Sequence, residues 1–280
     1  AIHGINLPEH LDMTIRPNGC LDIVRRWQKN GLVGHIGFST HANVDLIIET
    51  IETGFFDYVN LHWYFIRQEN KQALHAAHKK DMGIFIISPT DKGGHLHTPS
   101  SKLLELCSPL HPIEFNDLFC LRDERIHTLS VGASKPGDLD IHLEAISKMD
   151  SMYGLIDTIE SKLINASCKS LGESWLTTWN RGLPSWDQTP GEINIPVLLW
   201  LYNLLEAWDM ENFAKDRYGL LGRGGHWFPG SNADCLDCEV SEVDLKKVLI
   251  NSPWASEIPT VLRKLKDRLG GERRDRLWGI

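Results

Sequence analysis

Residues 83–87 form a continuous apolar run, Gly83-Ile84-Phe85-Ile86-Ile87, that follows the helix-like Lys71–Lys80 segment. A strand with one wet face alternates apolar and polar side chains. A run without that alternation needs cover on both faces, which parallel sheets obtain from their crossover helices. The neighbouring sequence follows the same logic. Short strand-like segments stand at Ala1–Asn6, His35–Ser39, Tyr58–Leu61 and Thr128–Val131. Between them, Val44, Ile47, Ile48 and Ile51 recur at i, i+3, i+4 and i+7, a helical stripe. Leu21, Val24 and Trp27 mark a second helix that stops near Gly31, and Lys71–Lys80, Leu103–Leu106, Ile113–Phe119 and Leu139–Met149 continue the series. Alternating strands and helices predict βα units on a parallel sheet.

Two parallel architectures compete. No Gly-rich dinucleotide fingerprint follows any strand, which weakens the doubly wound alternative. A closed barrel takes about 250 residues, about 31 per unit, so five units would fill about 155. The expected fold class is therefore α/β: a partial (β/α)8 TIM barrel, strands four to eight of eight, over residues 1–150. An all-helical extension is expected over 151–280. There Ile195-Pro196 and Ile258-Pro259 open two helices, as Pro in a first turn does. All but Trp27 and Trp63 of the ten Trp fall in this extension, at spacings that suit core packing. The Arg263–Arg276 stretch alternates basic and acidic residues and reads as a solvated helix face.

The net charge of −8 and pI near 5.9 argue against nucleic acid as a partner. No run reaches the roughly 18 apolar residues of a membrane span, so no membrane partner is expected. Six scattered Cys suit a reducing cytoplasm better than a secreted disulfide framework. The first residues already read as mid-strand, so the sequence is expected to be a fragment. Nothing in it indicates an oligomeric state.

Four motifs carry a family resemblance: His3-Gly4 at a strand end, the Lys29–Thr40 run with Gly31 ahead of Ile36-Gly37-Phe38-Ser39, Ile87-Ser88-Pro89, and Val131-Gly132-Ala133-Ser134 followed by Asp138–Leu143. In this order and at barrel spacing they resemble the aldo-keto reductase superfamily. The extension more loosely resembles that of a bacterial branch with ferredoxin-like cysteine motifs. The resemblance implies an oxidoreductase reducing an aldehyde or ketone, a small-molecule carbonyl substrate, with NADP or NAD as cofactor. The cofactor brings the hydride; the protein positions it.

By resemblance, His3 is the catalytic His that orients the carbonyl oxygen. Ser39, Thr40 and Asn60 hold the nicotinamide carboxamide, Asn60 standing where the family has a Gln. Ile87 covers the nicotinamide ring. Ser88, Pro89, Thr90 and Asp91 line the pyrophosphate, with Lys92 nearby to supply charge. Ser134 and Lys135 lie near the 2′ position, where Asp138 replaces a frequent Arg, and His142 lies near adenine. An acid there repels a 2′-phosphate, which keeps NAD open beside NADP. The family's Asp, Tyr and Lys belong to strands ahead of His3 that this sequence does not contain. The chain as given is thus expected to be inactive, and a catalytically dead remnant or a nucleotide-binding fragment is the competing reading.

No metal site is expected. Cys235-x-x-Cys238 begins like a ferredoxin motif, but Ser241 and Leu245 stand where further thiolates are needed. Cys168 and His226 have no standard zinc spacing to the pair. An iron–sulfur cluster is accordingly not expected. The loop His226-Trp227-Phe228-Pro229-Gly230 either shapes a substrate pocket over the barrel mouth or anchors the extension to the barrel.

Overall fold

A computed structural model of the chain describes residues 1–223 and 227–271. The chain divides into two compact units: Ala1–His97 with Pro109–Asp157, and Thr98–Ser108 with Thr158 onward. Residues 98–108, which the sequence reading kept with the first half, group with the second unit. His226, the end of the basic stretch and Trp278 lie outside the described residues.

The first unit comprises α1 (Pro8–Ile15), α2 (Cys20–Lys29), β1 (Gly37–Ser39), α3 (Val44–Glu52), β2 (Tyr58–Leu61), α4 (Lys71–Lys79), β3 (Gly83–Ile87), α6 (Pro112–Leu121), β4 (Thr128–Ser130) and the start of α7 (Asp140–Leu171). The second begins with α5 (Ser101–Cys107) and continues after α7 with α8 (Glu173–Thr178), α9 (Ile195–Trp208), α10 (Glu211–Leu220), α11 (Glu242–Val248) and α12 (Ile258–Leu269). Local chemistry sets several helix starts. The Asn43 side chain accepts from Leu46 N–H at 3.0 Å, Ser100 caps α5 in the same way, and His111 with Glu114 forms a reciprocal cap on α6. Each such cap stabilises its helix by roughly 1 kcal/mol.

The four strands pair in the order β1-β2-β3-β4, every neighbour parallel. Strand order that equals chain order is how barrels are wound; a doubly wound sheet reverses direction part-way. The first segment, expected as a strand over Ala1–Asn6, contributes a single bridge, Ile2 to Phe38. The fold is therefore α/β with a parallel sheet, consistent with part of a barrel.

One face of the sheet carries Phe38, Val59, Leu61, Ile84 and Ile86, all fully buried against Ile47, Ile51, Leu74 and Ala77 from α3 and α4. Burying side chains of this size stabilises by about 1.5–3 kcal/mol each. The other face carries Ser39, Tyr58, Asn60, Phe85, Ile87, Thr128 and Ser130, none of them buried. The apolar run of β3 is thus sealed on one side only. On the open face Tyr58 and Phe85 stack at 5.1 Å. Gly37 is required beside them, because a Cβ there would lie 2.4 Å from the Tyr58 ring.

In the second unit α9 buries Leu198, Leu201, Leu204 and Leu205 against α10 and α12. Trp208 Nε1 donates to the Leu163 carbonyl at 3.1 Å, and Trp175 Nε1 to Asn203 at 2.6 Å. Trp175 and Trp208 are buried core; Trp179, Trp186, Trp200, Trp227 and Trp254 are half-buried. The basic residues of α12 are more than a wet face. Arg263 pairs with Asp237 and Glu242, and Arg268 with Glu211. Short bridges join Ile193 to Ser231 and Leu236 to Val240, so the unit is not purely helical. No described helix is long and apolar enough to cross a membrane.

The two sheet faces should respond differently to truncation. Ile86→Ala should lower stability by about 2–5 kcal/mol through transfer and cavity terms. Thr128→Ala, on the open face, should stay within about 0.5 kcal/mol. Urea unfolding of both variants beside the parent checks this.

Candidate functional site

Parallel register gathers residues from successive strands into rows. Ser39 pairs with Asn60, Asn60 with Phe85 and Phe85 with Thr128. Extending the Ile2–Phe38 bridge by one residue adds His3, whose side chain is exposed, to the same row. Three of the expected residues, His3, Ser39 and Asn60, thus share the open face near the carboxyl ends of the strands, where barrels keep their active sites. The Ser39 hydroxyl oxygen accepts from Gly4 N–H at 3.1 Å, which leaves its proton available to donate. Asn60 Oδ1 is buried and has no hydrogen-bond partner. An orphaned buried acceptor costs roughly 1–3 kcal/mol, so such an atom marks a place where a donor belongs.

Thr40 lies inside the fold instead. Its hydroxyl donates to the Ile5 carbonyl at 2.7 Å and accepts from Ala42 N–H at 3.0 Å, so it ties the first segment to the loop after β1. Ile87 is half-buried, and its carbonyl accepts from the Tyr64 hydroxyl. Ser88 takes φ +54°, left-handed backbone that costs a non-glycine residue energy. The loop it opens is tightly folded. A Cβ on Gly93 would lie 1.8 Å from the Pro89 carbonyl oxygen, which also accepts from Asn116 Nδ2 at 3.0 Å. Pro89 and Thr90 are buried, whereas Asp91 is exposed and pairs with His95 at 3.2 Å.

Past β4, Asp138 Oδ2 accepts from Ser134 N, Ser134 Oγ and Lys135 N at 2.9, 2.8 and 3.2 Å. The Ser134 bonds hold the Asp138 carboxyl below its ordinary range, so the turn carries a fixed negative charge. His142 is buried away from the surface. Its Nδ1 lies 2.5 Å from Asp117 Oδ2, and its Nε2 lies 3.4 Å from Thr90 Oγ1. Burial pushes the Asp117 carboxyl up, opposed by its bond to His142. The Thr90–His142–Asp117 chain fastens the loop after β3 to α6 and α7.

A further cluster joins the ends of the first three strands. His62 Nδ1 lies 2.5 Å from Tyr64 Oη, and His62 Nε2 lies 2.6 Å from His41 Nδ1, the two imidazoles stacked at 4.7 Å. Because the Tyr64 hydroxyl donates to the Ile87 carbonyl, its oxygen is left to accept from His62 Nδ1–H. Nε2 of the neutral ring then accepts from His41 Nδ1–H, a tautomer assigned from the network. Burial is the main reason that the His62 pKa lies well below its ordinary value, and Lys92, His41 and Arg67 add positive charge that pushes it the same way. The sequence did hold a signal for this cluster: Ser39-x-His41 and Asn60-x-His62 repeat one spacing on adjacent strands. Asp117, acidic within the apolar helix α6, offered no comparable signal.

The sign of the pH dependence follows. The unfolded His62 ring takes up a proton near pH 6.5, and the folded ring resists it. The stability that neutral His62 confers is complete above that value and declines as pH falls below it, until the lower folded pKa is reached. The slope approaches one proton, about 1.4 kcal/mol per pH unit. Between pH 6.5 and 5, the parent's unfolding free energy should therefore fall more steeply than that of His62→Gln, read by urea unfolding at each pH. Asp117 shifts with the opposite sign and is common to both proteins.

No family model matches the chain, and no curated protein matches it. Among solved structures, a match is the aldo-keto reductase AKR11C1 from Bacillus halodurans in its holo form, at 12% identity and a TM-score of 0.45. The match covers 57% of this chain and 56% of that one, so the chain spans about half the length of the enzyme it matches.

Proposed function

We propose that the chain is the nicotinamide-dinucleotide-binding part of an aldo-keto-reductase-type oxidoreductase that reduces an aldehyde or ketone. On this reading the first segment and β1–β4 correspond to the fourth to eighth strands of a barrel. The observation that carries the proposal is the orphaned Asn60 Oδ1 in one row with Ser39 and His3. A primary carboxamide offers what that row lacks, an N–H for Asn60 Oδ1 and a carbonyl for the Ser39 hydroxyl.

The residues fit the cofactor in part. The dinucleotide, when bound, supplies the hydride. Ser39 and Asn60 hold its carboxamide, the Ile87 side chain covers the ring, and Ser88 and Asp91 are the accessible groups of the following loop. Thr40, Thr90 and His142 support the site from within, because their hydrogen bonds are made inside the fold. His3 orients the carbonyl oxygen. The fixed charge of Asp138 near the adenosine end disfavours a 2′-phosphate, so NADH is favoured over NADPH. The Tyr that donates a proton in the resembled family is not within the sequence given, which makes binding the direct readout. The competing reading is a nucleotide-binding module without turnover.

Fluorescence titration of the chain with NADH and NADPH tests the proposal. NADH should bind the more tightly. Asn60→Ala should weaken both about tenfold, the scale of one lost hydrogen bond. Asp138→Asn should move the affinity ratio about fivefold toward NADPH, as removal of one partly screened charge does. Absence of binding, or indifference to Asn60→Ala, overturns the reading. If binding holds, turnover of an aldehyde separates the enzyme from the module.

A further inference from the structure

Cys235 and Cys238 take no part in the site above. They close a turn in the second unit, where the Cys235 carbonyl accepts from the N–H groups of Cys238, Glu239 and Val240 at 3.4, 2.9 and 3.1 Å. A four-residue turn keeps its end Cα atoms within about 7 Å. Disulfides span Cα separations of roughly 4.4–6.8 Å. Cys238 Sγ lies 3.2 Å from the Cys235 carbonyl oxygen, folded back across the turn. Asp237, between the two, takes φ +65°, so the turn tip is held in a strained conformation.

The turn is fastened on several sides. Asp237 pairs with Arg263 at 3.0 Å, Lys266 Nζ donates to the Leu236 carbonyl, the Tyr218 hydroxyl donates to Asp234 at 2.7 Å, and Leu236 is buried. The ordering that a crosslink would require is already present, so closing the bond costs little further conformational entropy. Access is also present. Cys238 is exposed and Cys235 half-buried, and both line a cleft of about 440 Å3 together with Arg223, Asn232, Asp234 and Glu239. A cleft of that volume falls within the size range of small-ligand sites.

We propose that Cys235 and Cys238 form a reversible dithiol–disulfide site that exchanges with a small peptide disulfide of the glutathione class. The exposed Cys238 thiolate attacks one sulfur of the oxidant. A bond forms between Cys238 and one half of the oxidant, the oxidant's own S–S bond breaks, and the other half leaves as a thiol after taking up a proton. Cys235, having lost its proton, then attacks the Cys238 sulfur, forming the intrachain disulfide and releasing the second thiol. The chain gives up two electrons and two protons, and the oxidant gains both; excess thiol reverses the sequence. Two thiolates suffice here, whereas an iron–sulfur cluster or a structural zinc takes four ligands.

The test equilibrates the full chain in mixtures of reduced and oxidised glutathione, quenches with acid, alkylates, digests and weighs the peptides. As the oxidised fraction rises, the peptide holding residues 235–238 should lose two hydrogens and both alkylation sites together. Half-conversion should occur at an oxidised fraction at least tenfold below that which modifies Cys20, an exposed cysteine outside any such turn. Reduced glutathione in excess should restore both thiols. Cys235→Ser should stop at a mixed disulfide on Cys238, and Cys238→Ser should leave Cys235 largely alkylatable. The proposal is overturned if both cysteines alkylate at every ratio, or if each ends as a separate glutathione adduct. The digest of the parent decides the matter alone if a variant fails to fold.

Discussion

Parallel pairing in chain order is the constraint from which the first unit follows. Each strand lies beside the one from the preceding βα unit, and α3 and α4 cover one face of the sheet. Phe38, Val59, Leu61, Ile84 and Ile86 are consumed in sealing that face. The alternation of side chains along a strand then delivers every other residue, Ser39, Asn60 and Ile87 among them, to the opposite side. Because all strands run the same way, their carboxyl ends and following loops gather at one end, and polar groups far apart in sequence become neighbours there.

What surrounds that end is a set of buried polar chains rather than loose loops. His41, His62 and Tyr64 link the ends of β1, β2 and β3, and Thr90, His142 and Asp117 fasten the loop after β3 to two helices. Buried networks of this kind rigidify when every member is satisfied, and a group left unsatisfied is costly. Asn60 Oδ1, beside these networks, is buried without a hydrogen-bond partner, and Trp63 Nε1 close by in the chain shares that state. The second unit uses other means. It interlocks Leu and Trp side chains of α9 with Phe213 and Tyr218 of α10 and Leu262 and Leu265 of α12, and ties the 233–240 turn to α12 through Arg263 and Lys266.

Much of the fold could be read along the chain. The four strands stand where their apolar runs lie, α3 follows its i, i+3, i+4, i+7 stripe, and Ile-Pro opens α9 and α12. The misses have separate causes. The helix expected to end at Met149 runs on to Leu171, past Gly154, with no Pro in that stretch to break it. The helices α1, α8, α10 and α11 went unread because short helices in mixed sequence draw their stability from tertiary packing more than from pattern. Ala1–Asn6 has strand character, but it forms only the Ile2–Phe38 bridge and a few backbone hydrogen bonds to Gly37 and Ser39, too short a pairing to make a full strand.

By itself the sequence determined the parallel α/β character and the helix starts set by caps and prolines, whereas the 83–87 run, read as covered on both faces, leaves Phe85 and Ile87 on the open one. The features it determined depend on interactions among residues a few positions apart. Only the tertiary structure decided which polar side chains face outward and which are used up inside. Thr40 and His142 match the site by position, yet their partners Ile5 and Asp117 lie 35 and 25 residues away and draw them into the fold. His41 and His62, 21 residues apart, meet for the same reason. Hydrogen bonds between distant residues leave no periodic trace, because they depend on where the packed strands bring the chain and not on its local order.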